Sequence, residues 1–327
     1  MSIALEPAAA ETNGDLWPDE DARRALLDRY RDLNAGYDNV LIIHLTRRGF
    51  LSEVTVLVSA MLYALSQRRR LAVNASNFNG LRWTDYFASE PPPCTAADMS
   101  SVPWEQQIIK LKDGKLLELL GWVDESVRAR TRFQVEALGL DGELFQAKRR
   151  LFQILCRPTA RIEALAADAM DRLGLAPGRF AAVHLRRGDK VTVRIKNGRP
   201  WSEGENTPPW RIAEILDQLS PSTRDVLVLT DDFAAVGELQ DACPQRRVVT
   251  LCPPAAAGHE QVAFNNSTPD EKSEIVGRLV AECVIAARSD AFAGGYKSNV
   301  GKFISSIHLD PARCVSTDSL TDPWLKH

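Results

Sequence analysis

Three short polar segments and one lone carboxylate carry the residue types that chemistry needs. His184-Leu-Arg-Arg-Gly-Asp-Lys190 sets Arg186, Arg187 and Lys190 against one acid, Asp189. Arginine grips phosphate oxygens with a two-pronged fork and lysine adds a point charge, so this cluster suits a phosphate or pyrophosphate. The competing reading is a solvated loop with Asp189 paired to an arginine. Gly294-Gly-Tyr-Lys-Ser-Asn299 puts two glycines before Ser298 and Asn299, which open a helix. Unpaired backbone N–H groups and the helix dipole make such a start an anion site, to which the Ser298 hydroxyl can add a bond or which it can simply cap. Thr230-Asp-Asp232 offers Asp231 and Asp232 to ribose hydroxyls, to a divalent metal or to the cap of the next helix. Glu282 lies in an apolar stretch, Leu279-Val-Ala-Glu-Cys-Val-Ile-Ala286, where a carboxylate needs a partner. An arginine on a neighbouring element would serve, and so would a ligand that donates two N–H groups, such as the pairing edge of guanine.

The elements that must position these groups alternate. Arg179–Leu185, Asp225–Thr230, Arg247–Leu251 and Asp290–Gly294 read as strands, and 209–219, 233–242, 271–288 and 299–307 as helices. Strand–helix alternation implies a parallel sheet with right-handed crossovers, and such sheets bind ligands at the carboxyl ends of their strands. All three polar segments fall there. The first half opens with a loosely attached stretch, residues 1–20, and a helix over 21–34. A strand at Asn39–Leu45, the turn Thr46-Arg-Arg-Gly-Phe50, a helix over 51–67 and a strand at Leu71–Asn74 then make one βαβ unit. Residues 91–103 are proline-rich and read as loop. From 105 to 166 the pattern is mostly helical, less clear over 130–145, and 146–173 reads as one helix with Pro158 inside it, stopping at Gly174. This gives an N-terminal extension over 1–34, an α/β domain over 35–174 and a Rossmann-like domain over 175–327.

Composition excludes several classes. The chain has 327 residues and a formal net charge of -3, which disfavours a dedicated nucleic-acid binder. No GxGxxG follows a strand and no GxxxxGK[ST] occurs, which disfavours nicotinamide enzymes and P-loop NTPases. The six cysteines form no CxxC pair, so a structural zinc site is not expected, and Cys156 and Cys283 read as buried small residues. The longest apolar-rich stretch, about 54–65, is too short to span a bilayer, and residues 1–16 do not read as a signal peptide. A cytoplasmic location is expected.

Taken together the segments resemble the α-1,6-fucosyltransferases, the core N-glycan and nodulation-factor enzymes. His184–Lys190 resembles their HxRRxDK segment, Leu229–Asp232 the T-D-D that follows, and Ser289–Asn299 their S-D-F-x-x-x-x-S-S-[QN]. Gly49-Phe50, leading into a helix and then Leu71-Ala-Val73, looks like their N-terminal turn and strand. The four segments keep the family order over about residues 40–310. The resemblance implies two Rossmann-like domains in the B-type glycosyltransferase architecture. It implies a GDP-sugar donor, GDP-fucose, a glycan acceptor, inversion at the anomeric carbon, no required metal and no cofactor. Carried over by motif, Arg186 would hold the β-phosphate with Arg187 beside it, and Lys190 would help stabilise the leaving GDP. His184 and Glu282 would face guanine, since Glu282 stands eight residues before Asp290, the spacing of the family's acid. Asp231, Ser298, Asn299 and Gly49 would belong to the donor site.

The departures bear on catalysis. The family's proposed base is a Glu four residues after the lysine, and here that position is Arg194. A longer insert, 196–209, carries Glu203 and Glu205, either of which is a candidate base, as is Asp189. The turn lacks the family's second glycine. The membrane anchor of the animal members and the coiled-coil and SH3-like modules are not read in this chain. An acceptor other than a Golgi glycoprotein is therefore expected. Arg194 also leaves room for a non-catalytic nucleotide- or glycan-binding protein on the same scaffold, and the donor could carry another deoxyhexose.

Overall fold

A computed structural model describes residues 16–109, 114–196, 199–202 and 204–324. Helix α1, Glu20–Ala35, starts where the Asp19 carboxylate accepts the Ala22 N–H at 2.9 Å. The segment before it, expected to be loose, is fixed in its described part, because Leu16 and Trp17 are buried in the core. Strand β1, Val40–His44, helix α2, Phe50–Ser66, and strand β2, Arg70–Asn74, form the expected βαβ unit, with β1 and β2 parallel and His44 opposite Asn74. Single parallel bridges, Ile43 to Ile108 and Val73 to Pro93, extend this small sheet on both sides. Helix α2 is apolar around most of its circumference and is buried accordingly.

The remainder of the first half differs from its expected form in two places. The proline-rich stretch contains helix α3, Ala96–Ser101, started by a reciprocal capping box between Thr95 and Asp98. After helix α4, Gly114–Arg128, and the hairpin of β3, Phe133–Val135, with β4, Leu140–Gly142, the predicted helix over 146–173 is two helices. Helix α5, Leu144–Leu155, ends before Pro158, which lacks an N–H for the ladder, and Thr159 caps α6, Ala160–Leu173. Gly174 stops α6 in the left-handed conformation.

The second half supplies strand β5, Phe180–Leu185, then a hairpin of β6, Arg194–Lys196, with β7, Arg199–Trp201. Helix α7, Pro209–Leu219, strand β8, Asp225–Thr230, helix α8, Ala234–Ala242, and strand β9, Arg247–Thr250, follow. Helices α9, Gln261–Asn266, and α10, Pro269–Ala287, lead to strand β10, Ala291–Gly294, helix α11, Asn299–Ile307, and strand β11, Cys314–Val315. The five strands form one parallel sheet in the order β11-β10-β5-β8-β9. The first strand, β5, is central. The chain builds to one side through β8 and β9 and then crosses to β10 and β11 on the other. This is a doubly wound α/β sheet, whose switch point lies between β5 and β10. One continuous apolar cluster joins the halves: Phe303 of α11 meets Phe87 and Phe152, with ring centroids 6.4 and 5.6 Å apart. A second cluster fills the space between the sheet and α7 and α8. Cys156 and Cys283 are fully buried in the main core. Among the described residues no helix is long and apolar enough to cross a membrane.

Candidate functional site

A cleft of about 1180 Å³ opens at the carboxyl ends of β5 and β10, where the switch-point rule puts ligands, and the end of β1 forms its other wall. Seven arginines and lysines but four carboxylates line it, so the cleft is cationic on a chain of net charge -3.

The loop after β5 is built as a fixed cationic fork. Arg186 donates through Nη1 to Asp231 Oδ2 at 2.7 Å and through Nη2 to Asp189 Oδ1 at 3.0 Å. Two of its five N–H groups are thus used, and the side chain keeps 22 % of its exposure toward the cleft. Asp231 is the organiser. It also accepts the backbone N–H of Arg187 at 2.8 Å and of His259 at 3.0 Å, which pins the 256–260 loop against the strand end. Two glycines make that approach possible. Gly188 has φ +63° and Gly258 φ +100°, and they meet back to back. A Cβ on Gly188 would come within 2.6 Å of both His259 N and O. Gly188→Ala combines left-handed strain with overlap, so it should cost about 2–4 kcal/mol of stability in urea unfolding, and a neutral result would contradict this packing.

Two helix starts face the same cleft. Ser298 caps α11 and accepts the Val300 N–H at 3.3 Å, while Asn299 Oδ1 accepts the Thr55 hydroxyl of α2 at 2.9 Å. Asn299 therefore ties the two halves together at the cleft. Gly301 lies so close to the Gly295 carbonyl that any Cβ there would collide with it. Helix α2 begins at Gly49 with no side-chain cap. Its 17 residues and the nine of α11 direct two dipole ends toward the cleft. Lys190 and Lys297 add point charges to the lining.

Part of the lining is an apolar slot formed by Leu229, which pairs with His184 across the sheet, and by Cys252, Phe264 and Leu279. Glu282 of α10 and His184 of β5 lie in this slot. Glu282 is 7 % exposed and accepts no hydrogen bond from any described residue. Burial pushes its carboxyl up to about 7, against a smaller downward pull from Arg278. His184 is 6 % exposed, and its Nδ1 has no hydrogen-bond partner among the described residues. Burial, helped by Arg186, pushes the imidazole down to about 4, so it is neutral at pH 7. A slot with an unsatisfied acceptor and an apolar wall suits a flat heterocycle that donates N–H groups.

The structure thus brings His184, Arg186, Lys190, Asp231, Glu282, Ser298, Asn299, Gly49 and Glu205 to one cleft. Three expected site residues are engaged within the protein. Arg187 lines the cleft, and its guanidinium bonds to Asn206 and, at 3.1 Å, to Glu238, which braces the loop. Asp231 lines the cleft with its oxygens taken by Arg186 and by backbone N–H groups, and Asp232 caps the next turn through the Ala234 N–H at 3.0 Å. Glu205 is a poor base: burial alone would raise its pKa, but bonds from Lys297 Nζ and the Ser319 hydroxyl, each 2.6 Å, hold it below the usual carboxylate range. Glu203 lies outside the described residues.

Sequence reasoning missed other lining residues. Arg47 and Arg48 follow β1 as Arg186 and Arg187 follow β5, and that shared signal of paired arginines after an apolar run was legible. His44, Trp104, His259 and Arg278 carry no such spacing.

No family model and no curated protein matches the chain. Solved structures do. Over 82 % of this chain and 92 % of the other, the protein is similar to NodZ alpha-1,6-fucosyltransferase co-crystallized with GDP, with 13 % identity and a TM-score of 0.49. It is similar to a mutant of Arabidopsis thaliana FUT1 in complex with GDP, with 12 % identity over 91 % and 74 % of the two chains and a TM-score of 0.47. POFUT1 in complex with GDP-fucose matches at 12 % identity over 86 % and 98 %, with a TM-score of 0.43.

Proposed function

We propose that the protein is a glycosyltransferase that moves fucose from GDP-fucose to a hydroxyl of a glycan or glycoconjugate, with inversion and without a metal. The observation that carries this reading is Glu282. It is a buried carboxyl with no hydrogen-bond donor among the described residues, in the apolar part of the cleft that Arg186 and the start of α11 also line. Guanine offers two adjacent N–H groups to a carboxylate, while adenine and uracil do not present that pair. The nucleoside would lie in the slot and the diphosphate against Arg186, Lys190 and the Ser298 hydroxyl. The motifs shared with the α-1,6-fucosyltransferases point to the same donor.

The reaction follows from charge. As the bond from the anomeric carbon to the β-phosphate oxygen breaks, GDP gains negative charge. Arg186, Lys190 and the α11 dipole stabilise that charge in place, which is the task a metal performs elsewhere. Positive charge develops on the sugar ring. The acceptor oxygen attacks from the opposite face, which inverts the centre. On this reading residues 175–327 hold the donor and 35–174 present the acceptor.

Incubation with GDP-fucose and a glycan library should release GDP and label an acceptor. Equal use of a UDP-sugar, or no GDP release from any donor, would contradict the proposal. A non-catalytic reading draws on Arg194 at the position of the family's base. It predicts GDP binding without turnover, so the same assay separates the two.

A further inference from the structure

The carboxylates near the diphosphate position are committed. Both oxygens of Asp231, of Asp189, of Glu205 and of Asp318 already accept bonds, Asp318 from the Lys297 and Leu320 N–H groups and the Ser316 hydroxyl. Donors on both oxygens engage each of these carboxylates within the protein. Glu282 is held in the nucleoside slot. Among the described residues of the lining, a different group has a lone pair for the acceptor's proton.

We propose that His44 is the general base of this reaction and that Gln107 is its positioning residue. His44 ends β1 on the wall contributed by the first half and lines the cleft. Its backbone N–H bonds to the Ile108 carbonyl at 2.9 Å, which fixes the strand end. Gln107 is buried, and its Nε2 donates to the Val102 carbonyl at 2.8 Å, so its Oε1 must be the atom facing His44. That oxygen lies 2.6 Å from His44 Nε2 and can only accept. Nε2 therefore carries the ring proton, and Nδ1 carries the lone pair. Trp104 packs edge-on against the imidazole, with centroids 5.4 Å apart, and is 59 % exposed beside it in the cleft. An exposed indole next to a base offers a flat apolar surface to a sugar ring.

The step balances as follows. An acceptor oxygen lone pair forms the bond to the anomeric carbon. The bond to the phosphate oxygen breaks and its electron pair leaves with GDP. The acceptor's proton passes to His44 Nδ1 and then to solvent. This inference rests on the GDP-fucose reading.

The test uses the full chain with GDP-fucose as donor and water as the minimal acceptor. His44→Ala should lower turnover by about 100-fold or more, the usual worth of a general base, while GDP affinity in calorimetry stays at the wild-type level. Added imidazole should restore turnover in that variant, which a merely structural loss would not allow. Near-wild-type turnover in His44→Ala, or no response to imidazole, overturns the assignment and leaves the donor reading standing. Failure of the wild type to bind GDP overturns both. Imidazole 15N spectra decide the tautomer independently of turnover. Wild-type His44 should be protonated at Nε2, with that preference lost in Gln107→Leu, and protonation at Nδ1 would overturn the proposal.

Discussion

Arg186→Ala should reduce kcat/KM for GDP-fucose by about 10²–10³-fold, the range for removing one preorganised donor from a developing anion. The loss has two sources. One is the guanidinium itself, which would stabilise the departing diphosphate. The other is what remains, because Asp231 and Asp189 would keep their negative charge without the cation between them. Like charge next to a diphosphate raises the barrier further. Arg186→Lys should recover only part of the loss. An ammonium restores the charge but not the planar fork that spans both carboxylates at 2.7 and 3.0 Å. Steady-state kinetics with GDP binding measured alongside checks the prediction. Turnover near wild type in Arg186→Ala would remove the residue from its role.

Glu282→Gln should produce opposite effects on stability and on binding. In the free protein burial holds the carboxyl at about 7, above its unfolded value near 4.5. A carboxyl raised on folding contributes stability that is complete below the unfolded pKa and lost as pH rises through the folded one. The span of roughly 2.5 units corresponds to about 3 kcal/mol lost between pH 4.5 and pH 7. Gln carries no such penalty, so the free variant should be more stable than wild type at pH 8. Binding runs the other way. Guanine N–H groups favour the ionised carboxylate, so wild-type GDP affinity should rise from pH 6 to pH 8 and then level. The variant should lose about 100-fold in GDP affinity and most of its preference over ADP, with no slope in that range. Calorimetry at three pH values measures both affinity and proton release. A variant with unchanged affinity and selectivity would mean that Glu282 does not meet the base.

Much of the scaffold was legible because its strands are apolar runs and its helices are amphipathic or capped. Residues 209–219, 225–230 and 299–307 take the predicted elements residue for residue. The expected single helix over 146–173 breaks because one proline outweighs good helix formers on either side. The 194–201 hairpin, α9 and β11 escaped because each is too short for a period to show. At the site, the cationic loop, the Ser298 cap and Glu282 could be found from type and spacing. Which atoms they meet could not. Arg187 turning to Glu238 depends on a contact 51 residues away, and Asp231 binds backbone supplied by residues 187 and 259. His44 and Gln107 are 63 residues apart, with no motif linking them.

Titration calorimetry of the wild-type chain with GDP, ADP and UDP at pH 8 tests the central claim most directly. The slot with Glu282 and His184 and the fork at Arg186 predict that GDP binds more tightly than either of the others, and that Glu282→Gln removes most of the difference. Equal binding of the three nucleotides, or no binding of GDP, would contradict a GDP-sugar site in this cleft.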